Sequence, residues 1–462
     1  MPTVTSVKAH FAANSVRMFK LALPITIGQL AIVGMSVTDI IIAGRLSTDD
    51  LAAVTLGSTV FNLSIMLVIG IILGNGPLIG QLYSAGKIQG LRQQFQNCLW
   101  LCLPLGLLCS LFIVVGIFFL PQLDSPQHIN AIAINYLLPM TGSAFLLPYI
   151  MAFRTTFESM AHARTAMVFN VMGFAINIPL DYLLVMGEWG LPALGGAGCG
   201  WATLCVSLFI VGGEALYARR ASTLQVYRLL NGWQFFDRQP IVETLRIGLP
   251  IGGAILAEGG FFLLIPLLVA HLGAVTVSGH SVAISFDWMM FMVPMGISQA
   301  ISILVAHEMG RQRAAQARSI CAAGLSLTVV IALVQGAFVL LFRQQIAALF
   351  TPDIAVQELA ASLLVYAAIF RVFDAINIGG NGALRGYKDT RITLVLAVVG
   401  YWLVGFPLSY SLALSDLWGP PLGVEGFWIG MVIALIFTAS LTGTRLYFTS
   451  RNAVLKSTMV KD

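Results

Sequence analysis

Charge is what this sequence has least of. Only 10% of its 462 residues are Asp, Glu, Lys or Arg, where a water-soluble domain carries about a quarter, so water is excluded as its main solvent. Cysteine is also sparse. Cys98, Cys102, Cys109, Cys199, Cys205 and Cys321 fall mostly in apolar runs without paired CxxC spacing, which excludes a disulfide framework or a zinc site as the organising device. The six histidines are scattered without metal-ligand spacing and read as packing or interfacial residues. No GxxxxGKS/T loop is present, so ATP is not the direct energy source, and neither an HExxH nor a nucleophile beside a base occurs mid-span, so the chain does not read as an enzyme. The N-terminus shows no short apolar region before a small-residue cleavage site, and an uncleaved protein of the bacterial inner membrane is expected.

What is abundant is apolar sequence. A helix crossing a hydrocarbon core of roughly 30 Å needs about 20 mostly apolar residues, and twelve such runs are expected at 18–43, 51–81, 94–119, 129–157, 165–187, 195–217, 241–268, 275–306, 317–342, 355–384, 391–414 and 423–447. Barrel strands are excluded, because they span with about 10 residues of alternating polarity. The fold class is therefore all-α and polytopic. The net charge of +5 does not indicate nucleic acid as a partner, because 22 of the 25 basic residues fall in segments on one side; Arg45 and Arg343 lie in opposite loops and Arg371 inside a span. The positive-inside bias places both termini in the cytoplasm, which requires an even number of spans.

The chain repeats itself. Leu23-Pro24-Ile25 recurs as Leu249-Pro250-Ile251 (250 − 24 = 226), and Pro179-Leu180-Asp181-Tyr182 recurs as Pro407-Leu408-Ser409-Tyr410 (407 − 179 = 228). Leu194-Gly195 with Gly198 recurs as Leu422-Gly423 with Gly426, again at 228. Six spans per copy is an even number, so the copies are parallel repeats, expected as two pseudo-symmetric lobes about a central cavity. Residues 1–217 form the expected N-lobe, 218–240 a cytoplasmic linker and 241–462 the C-lobe with its tail. The linker piece 224–236 is amphipathic enough to lie on the membrane surface. The 45 glycines suit close helix packing. Prolines inside spans, Pro24 among them, are candidate hinges.

Acidic groups inside spans cost about 2.5 to 3.5 kcal/mol at the centre on insertion scales, so each needs a reason. Four stand out: Asp39 in the first span, Asp181 in the fifth, Glu258 in the seventh and Asp374 in the tenth. Asn177 lies one turn before Asp181 on the same helix face. Converging carboxylate and amide oxygens suit a hard cation such as Na+, and a carboxyl in an apolar site suits a proton. Asp374 has a structural alternative, since Arg371 is one turn away and the two can pair, and Arg154 and Glu158 are likewise i,i+4 partners. Asn177 and Asp181 align with Gly405 and Ser409 in the second copy, so the site is expected in one lobe only.

These residues resemble the multidrug and toxic compound extrusion family. The resemblance rests on Val37-Thr38-Asp39-Ile40-Ile41-Ile42-Ala43-Gly44, Asn177-Ile178-Pro179-Leu180-Asp181-Tyr182, the run from Gly196-Ala197-Gly198 to Ala202-Thr203, and Gly386-Tyr387-Lys388-Asp389-Thr390-Arg391, and it covers nearly the whole chain. It implies a V-shaped two-lobe exporter of cationic or amphipathic drugs, exchanged for H+ or Na+ with no cofactor. It also implies an N-lobe cation site at Asp39, Asn177, Asp181 and Thr203, where Na+ is the metal expected. The NorM-like branch adds a C-lobe acidic pair, matched by Glu258 and Asp374. Where that branch often has a tyrosine one turn before the second acid, this chain has Phe370, which removes a hydroxyl from that site. Alternating access is implied, with Asp39 protonation or cation binding coupled to bending of the first span near Pro24. The expected partners are small-molecule drugs, organic cations and membrane lipids, and the expected state is a monomer. A flippase for lipid-linked sugars is the alternative; it would line its cavity with several basic residues, and only Arg371 is well placed within the spans.

Overall fold

The computed structural model describes residues 4–122, 126–187, 190, 192–233, 235–417 and 419–459; Gln234 of the expected linker and Lys461 of the basic tail lie outside them. The described residues contain helices and no strand. Without water to bond exposed amides, a chain this apolar must satisfy its backbone within each segment, and helices do so.

Among the described residues, twelve helices are long and apolar enough to cross a membrane: α1 (Ala13–Leu46), α2 (Thr48–Ser84), α3 (Ile88–Gln122), α4 (Gln127–Ser159), α5 (Ala163–Met186), α6 (Ala197–Arg220), α7 (Arg238–Pro266), α8 (Ala274–Gly310), α9 (Ala314–Phe350), α10 (Ile354–Gly386), α11 (Arg391–Leu414) and α12 (Val424–Met459). Each overlaps an expected span with ends within a few residues, and most run past it at one end or both into polar flanks. Caps set several ends. Ser47 Oγ accepts from the Asp50 amide at 2.9 Å at the start of α2, and Asp353 Oδ1 accepts from the Ala355 amide at 2.9 Å at the start of α10. Leucine and phenylalanine side chains such as Leu111, Phe118, Leu341 and Leu403 stand exposed on the outer faces, as helices solvated by hydrocarbon require.

The repeat is visible in the backbone. Left-handed residues close the turns after α2 and α8 at Gly86 and Gln312 (312 − 86 = 226) and after α4 and α10 at Ala161 and Lys388 (388 − 161 = 227). Gly198 of α6 abuts the backbone of Leu184, and Gly426 of α12 abuts that of Leu412, both offset by 228. A methyl group at either glycine would meet main-chain atoms that cannot move aside.

The residues divide into two compact units, an N-terminal one of Ile27–Gly252 and a C-terminal one of Gly253–Asp462 together with Met1–Thr26. The cuts fall at equivalent positions, two residues after Pro24 in α1 and two after Pro250 in α7 (252 − 26 = 226). They differ from the halves expected at 1–217 and 241–462 because the first turns of α1 and α7 have partners in the other copy. In the C-terminal unit, Arg17 Nη1 bonds Glu308 Oε1 at 3.2 Å and Asn14 donates to Ser319 Oγ at 3.2 Å. In the N-terminal unit, Gln94 Nε2 donates to Thr244 Oγ1 at 2.8 Å.

The linker belongs to the N-terminal unit as well. It is one helical turn, Ser222–Gln225, followed by tight turns. Leu224 and Leu229 are buried, Gln96 Nε2 donates to the Leu229 carbonyl at 3.0 Å, and the Asp237 amide donates to Asn97 Oδ1 at 2.7 Å. Among its described residues the piece 224–236 forms turns held to α3, with Val226, Trp233, Phe235 and Phe236 left exposed.

Candidate functional site

The N-terminal unit gathers the acids of its first and fifth spans. Asp39, Asp181 and Cys199 present two carboxylate oxygens and a thiol that all lie within 4.8 Å of one another, and all three residues are buried. Thr203, one turn beyond Cys199 on α6, donates from Oγ1 to Asp39 Oδ2 at 3.4 Å. Asn177 is fully buried one turn before Asp181, and its amide atoms have no hydrogen-bond partner among the described residues. The four residues expected from sequence thus converge from α1, α5 and α6.

Two further residues join them. The Cys199 thiol donates to the Asp39 carbonyl at 3.7 Å. Tyr136 of α4, its hydroxyl 3.1 Å from Ser58 Oγ, is close enough to both carboxylates to feel their charge. Cys199 carries no sequence signal beyond its place four residues before Thr203, and Tyr136 carries none.

The C-terminal unit holds a different arrangement. Arg371 of α10 is buried and donates through Nη1 to Asp374 Oδ2 at 3.2 Å and through Nη2 to the carbonyl of Asp287 at 2.7 Å and to its carboxylate. Asp374 is thus an ion-pair partner, as its spacing from Arg371 allowed, and Asp287 of α8 is a second partner that the sequence reading passed over. Glu258 of α7 accepts from the Tyr401 hydroxyl at 2.9 Å. Asn377 Nδ2 donates to that hydroxyl at 3.4 Å and is itself fixed by Thr442 Oγ1 at 3.1 Å. The charges of Glu258 and Asp374 act on each other, but no direct bond joins them among the described residues. Phe370 packs edge-on against Phe262 with ring centroids 5.9 Å apart, and the hydroxyl that bonds Glu258 is that of Tyr401 on α11.

Tyr401 lies in an irregular stretch. Val398–Gly405 is a π-helix, wider than an α-helix by one residue per turn. Such bulges are rare and concentrate where a helix must aim a side chain.

The family model MatE matches the chain twice, at residues 24–183 and 250–411. The chain belongs to the MatE family. The two matched stretches begin at Pro24 and Pro250, so they follow the internal repeat. This MATE family member is 34% identical over 446 residues to the multidrug resistance protein PmpM of Pseudomonas aeruginosa, covering 95% of this chain and 92% of that one. It is 33% identical over 443 residues to the multidrug resistance protein NorM of Aliivibrio fischeri, covering 96% of each. The fold matches the Vibrio cholerae MATE transporter VcmN in its bent form with a TM-score of 0.86, at 16% identity over 97% of this chain and 99% of that one. A MATE structure in the bent conformation gives 0.87 at 20% identity over 99% and 100%. With its twelve apolar helices and these relatives, the MATE chain is a multi-pass membrane protein of a multidrug efflux transporter family.

Proposed function

We propose that this MATE transporter exports cationic or amphipathic drugs across the bacterial inner membrane by antiport against H+ or Na+, with the basic loops and both termini in the cytoplasm. The observation that carries the proposal is the buried meeting of Asp39 and Asp181 within 4.8 Å. Two unit negative charges at that separation repel by about 3 to 4 kcal/mol at an effective dielectric constant of 20. A single proton or monovalent cation between them removes the repulsion. Occupancy of the pair is therefore coupled to the packing of α1, α5 and α6. The drug class rests on the relatives named multidrug resistance proteins.

The proton fits the donor set better than Na+. A sodium cage calls for several hard oxygens, and here the Cys199 thiol, a soft donor, lies among the carboxylates. In the proposed cycle, protonation of Asp39 or its partner lets α1 bend near Pro24, the drug is released outward, and loss of the proton to the cytoplasm resets the site. The Glu258–Asp374 region forms a second, weaker cation or substrate site, because Arg371 already neutralises Asp374. The proposed working state is a monomer in contact with membrane lipids. A flippase for lipid-linked sugars would need free positive charge for a pyrophosphate, and the Arg371 guanidinium is held by two aspartates.

The test is efflux of a fluorescent cationic dye from proteoliposomes under an imposed pH gradient or an imposed Na+ gradient, comparing the intact protein with Asp39→Asn. Transport driven by either gradient and abolished by the substitution supports the antiporter and names its ion. If neither gradient moves dye, the drug-export reading fails.

A further inference from the structure

The N-terminal unit has a second polar layer that the site above does not use. Helices α1, α5 and α6, which supply Asp39, Asp181 and Thr203, each carry another buried polar residue ten or eleven positions toward the basic side: Gln29, Asn170 and Glu214. At 1.5 Å per residue these lie about 15 to 17 Å from the first layer. Between the layers is an apolar cluster of Ile150, Val206 and Ile210 packed with Met35 and Ile176.

Glu214 is fully buried, and neither of its carboxyl oxygens has a hydrogen-bond donor among the described residues. The charges acting on it come from α4, first Arg154 and then Glu158. At this level α5 and α1 offer only the amides Asn170 and Gln29. Arg154 is also buried; its Nε bonds Glu158 Oε1 at 2.9 Å and its Nη1 bonds Gln29 Oε1 at 3.4 Å. Its Nη2 has no acceptor among the described residues. The triad thus contains one cation and two carboxyls, with one unused guanidinium donor and one carboxyl without a donor. Ionised throughout, it bears a net charge of −1, which one proton cancels. On the basic side Tyr217 packs against Phe157 and Phe169, with centroids 5.9 and 6.2 Å away.

We propose that Glu214 is a second proton-binding site, and that it passes the coupling proton between the Asp39–Asp181 pair and the cytoplasm. Protonated, Glu214 is neutral and needs no counter-ion. When its proton leaves to cytoplasmic water, the carboxylate formed has the unused Arg154 Nη2 as its available partner, and the net charge of −1 then left on the triad draws the next proton in. Met35 of α1 belongs to the apolar layer, so movement of α1 opens or shuts the route between the two carboxyl sites. The proposal rests on the antiport reading and adds to it a named inner port for the proton.

The experiment compares the intact protein with Glu214→Gln in proteoliposomes by two measurements: dye efflux driven by a pH gradient at a series of pH values on the cytoplasmic side, and dye-for-dye exchange at equal pH. The expected result is a driven efflux that falls at least tenfold relative to exchange and loses its dependence on cytoplasmic-side pH. Equal proportional losses in both measurements, or a pH profile like that of the intact protein, would overturn the proposal in favour of a purely structural Glu214. If Glu214→Gln does not assemble, Glu214→Asp decides. It keeps a titrating group one methylene shorter, so a displaced pH midpoint supports the port and an unchanged one refutes it. Absence of driven efflux in the intact protein would strike the antiport reading itself, and is thereby told apart from failure of the port.

Discussion

Arg371 holds the largest single electrostatic commitment in the C-terminal unit. Its side chain is 3% exposed and serves Asp374 through one nitrogen and Asp287 through the other. Arg371→Met keeps much of the volume and removes the charge, leaving two buried carboxylates without a counter-ion. Removing one partner of a buried pair costs about 3 to 5 kcal/mol. At roughly 2 to 4 °C per kcal/mol for a unit of some 200 residues, that is a fall of about 6 to 20 °C in the unfolding midpoint. Asp374→Asn behaves differently. Arg371 keeps both of its bonds to Asp287, so a loss under about 1.5 kcal/mol is expected, together with a change in transport if Asp374 contributes to the second site. Thermal unfolding of purified protein in detergent, followed by tryptophan fluorescence, reads both numbers. If Arg371→Met unfolds within 3 °C of the intact protein, or if Asp374→Asn is as damaging, the arginine is not the hub described here.

Cys199→Ser replaces a soft donor by a hard one beside the two aspartates, so the ratio of Na+-driven to H+-driven dye efflux is expected to rise at least threefold; an unchanged ratio would make Cys199 a packing residue. Gly70→Ala places a methyl group against the backbone of Gly252, whereas Gly443→Ala faces open space. The first is expected to cost about 1 to 3 kcal/mol by overpacking and the second to gain about 0.5 to 1 kcal/mol, both read from the unfolding midpoint.

The spans were legible in the sequence because lipid leaves a chain this apolar one way to satisfy its backbone, and helix ends differ from expectation mainly where α-structure continues into polar flanks. Asp39 and Asp181 were legible because an acid inside a span must have a reason, Asn177 from its place one turn before Asp181, and Thr203 only through the family resemblance. The same argument reaches Asp287 and Glu214, which lie within the expected spans 275–306 and 195–217, and a count that stops at four misses them. Cys199 was not legible, since its bond runs to a backbone carbonyl on a helix 160 residues away, and a thiol in an apolar run looks the same whether it packs or donates. Nor could the ownership of the first turns of α1 and α7 be read, because it depends on single bonds such as Arg17 to Glu308.

The offsets between the two repeats contain one more signal. They rise from 227 at Ala161 and Lys388 to 228 at Leu184 and Leu412, so the second copy has gained one residue between Lys388 and Leu412. In a helix packed at both ends an extra residue has nowhere to go but a wider turn, and Val398–Gly405 is that turn, while the matching part of α5 is regular. Gly400 rests against Thr438 of α12, which fixes the near edge of the bulge and leaves Tyr401, the next residue, facing Glu258. Deletion of Leu403, whose side chain is exposed, returns the segment to the α-helical register of the first copy. The expected outcome is a protein that folds to within about 2 kcal/mol, since only a bulge and a lipid-facing leucine are lost. Its transport should fall as it does in Tyr401→Phe, where loss of the hydroxyl leaves the Glu258 acceptor short at a cost of about 1 to 3 kcal/mol. Dye efflux at wild-type rate from the deletion variant, with Tyr401→Phe impaired, would show that the hydroxyl reaches Glu258 without the bulge. Wild-type efflux from both would remove the Tyr401–Glu258 bond from the transport cycle altogether.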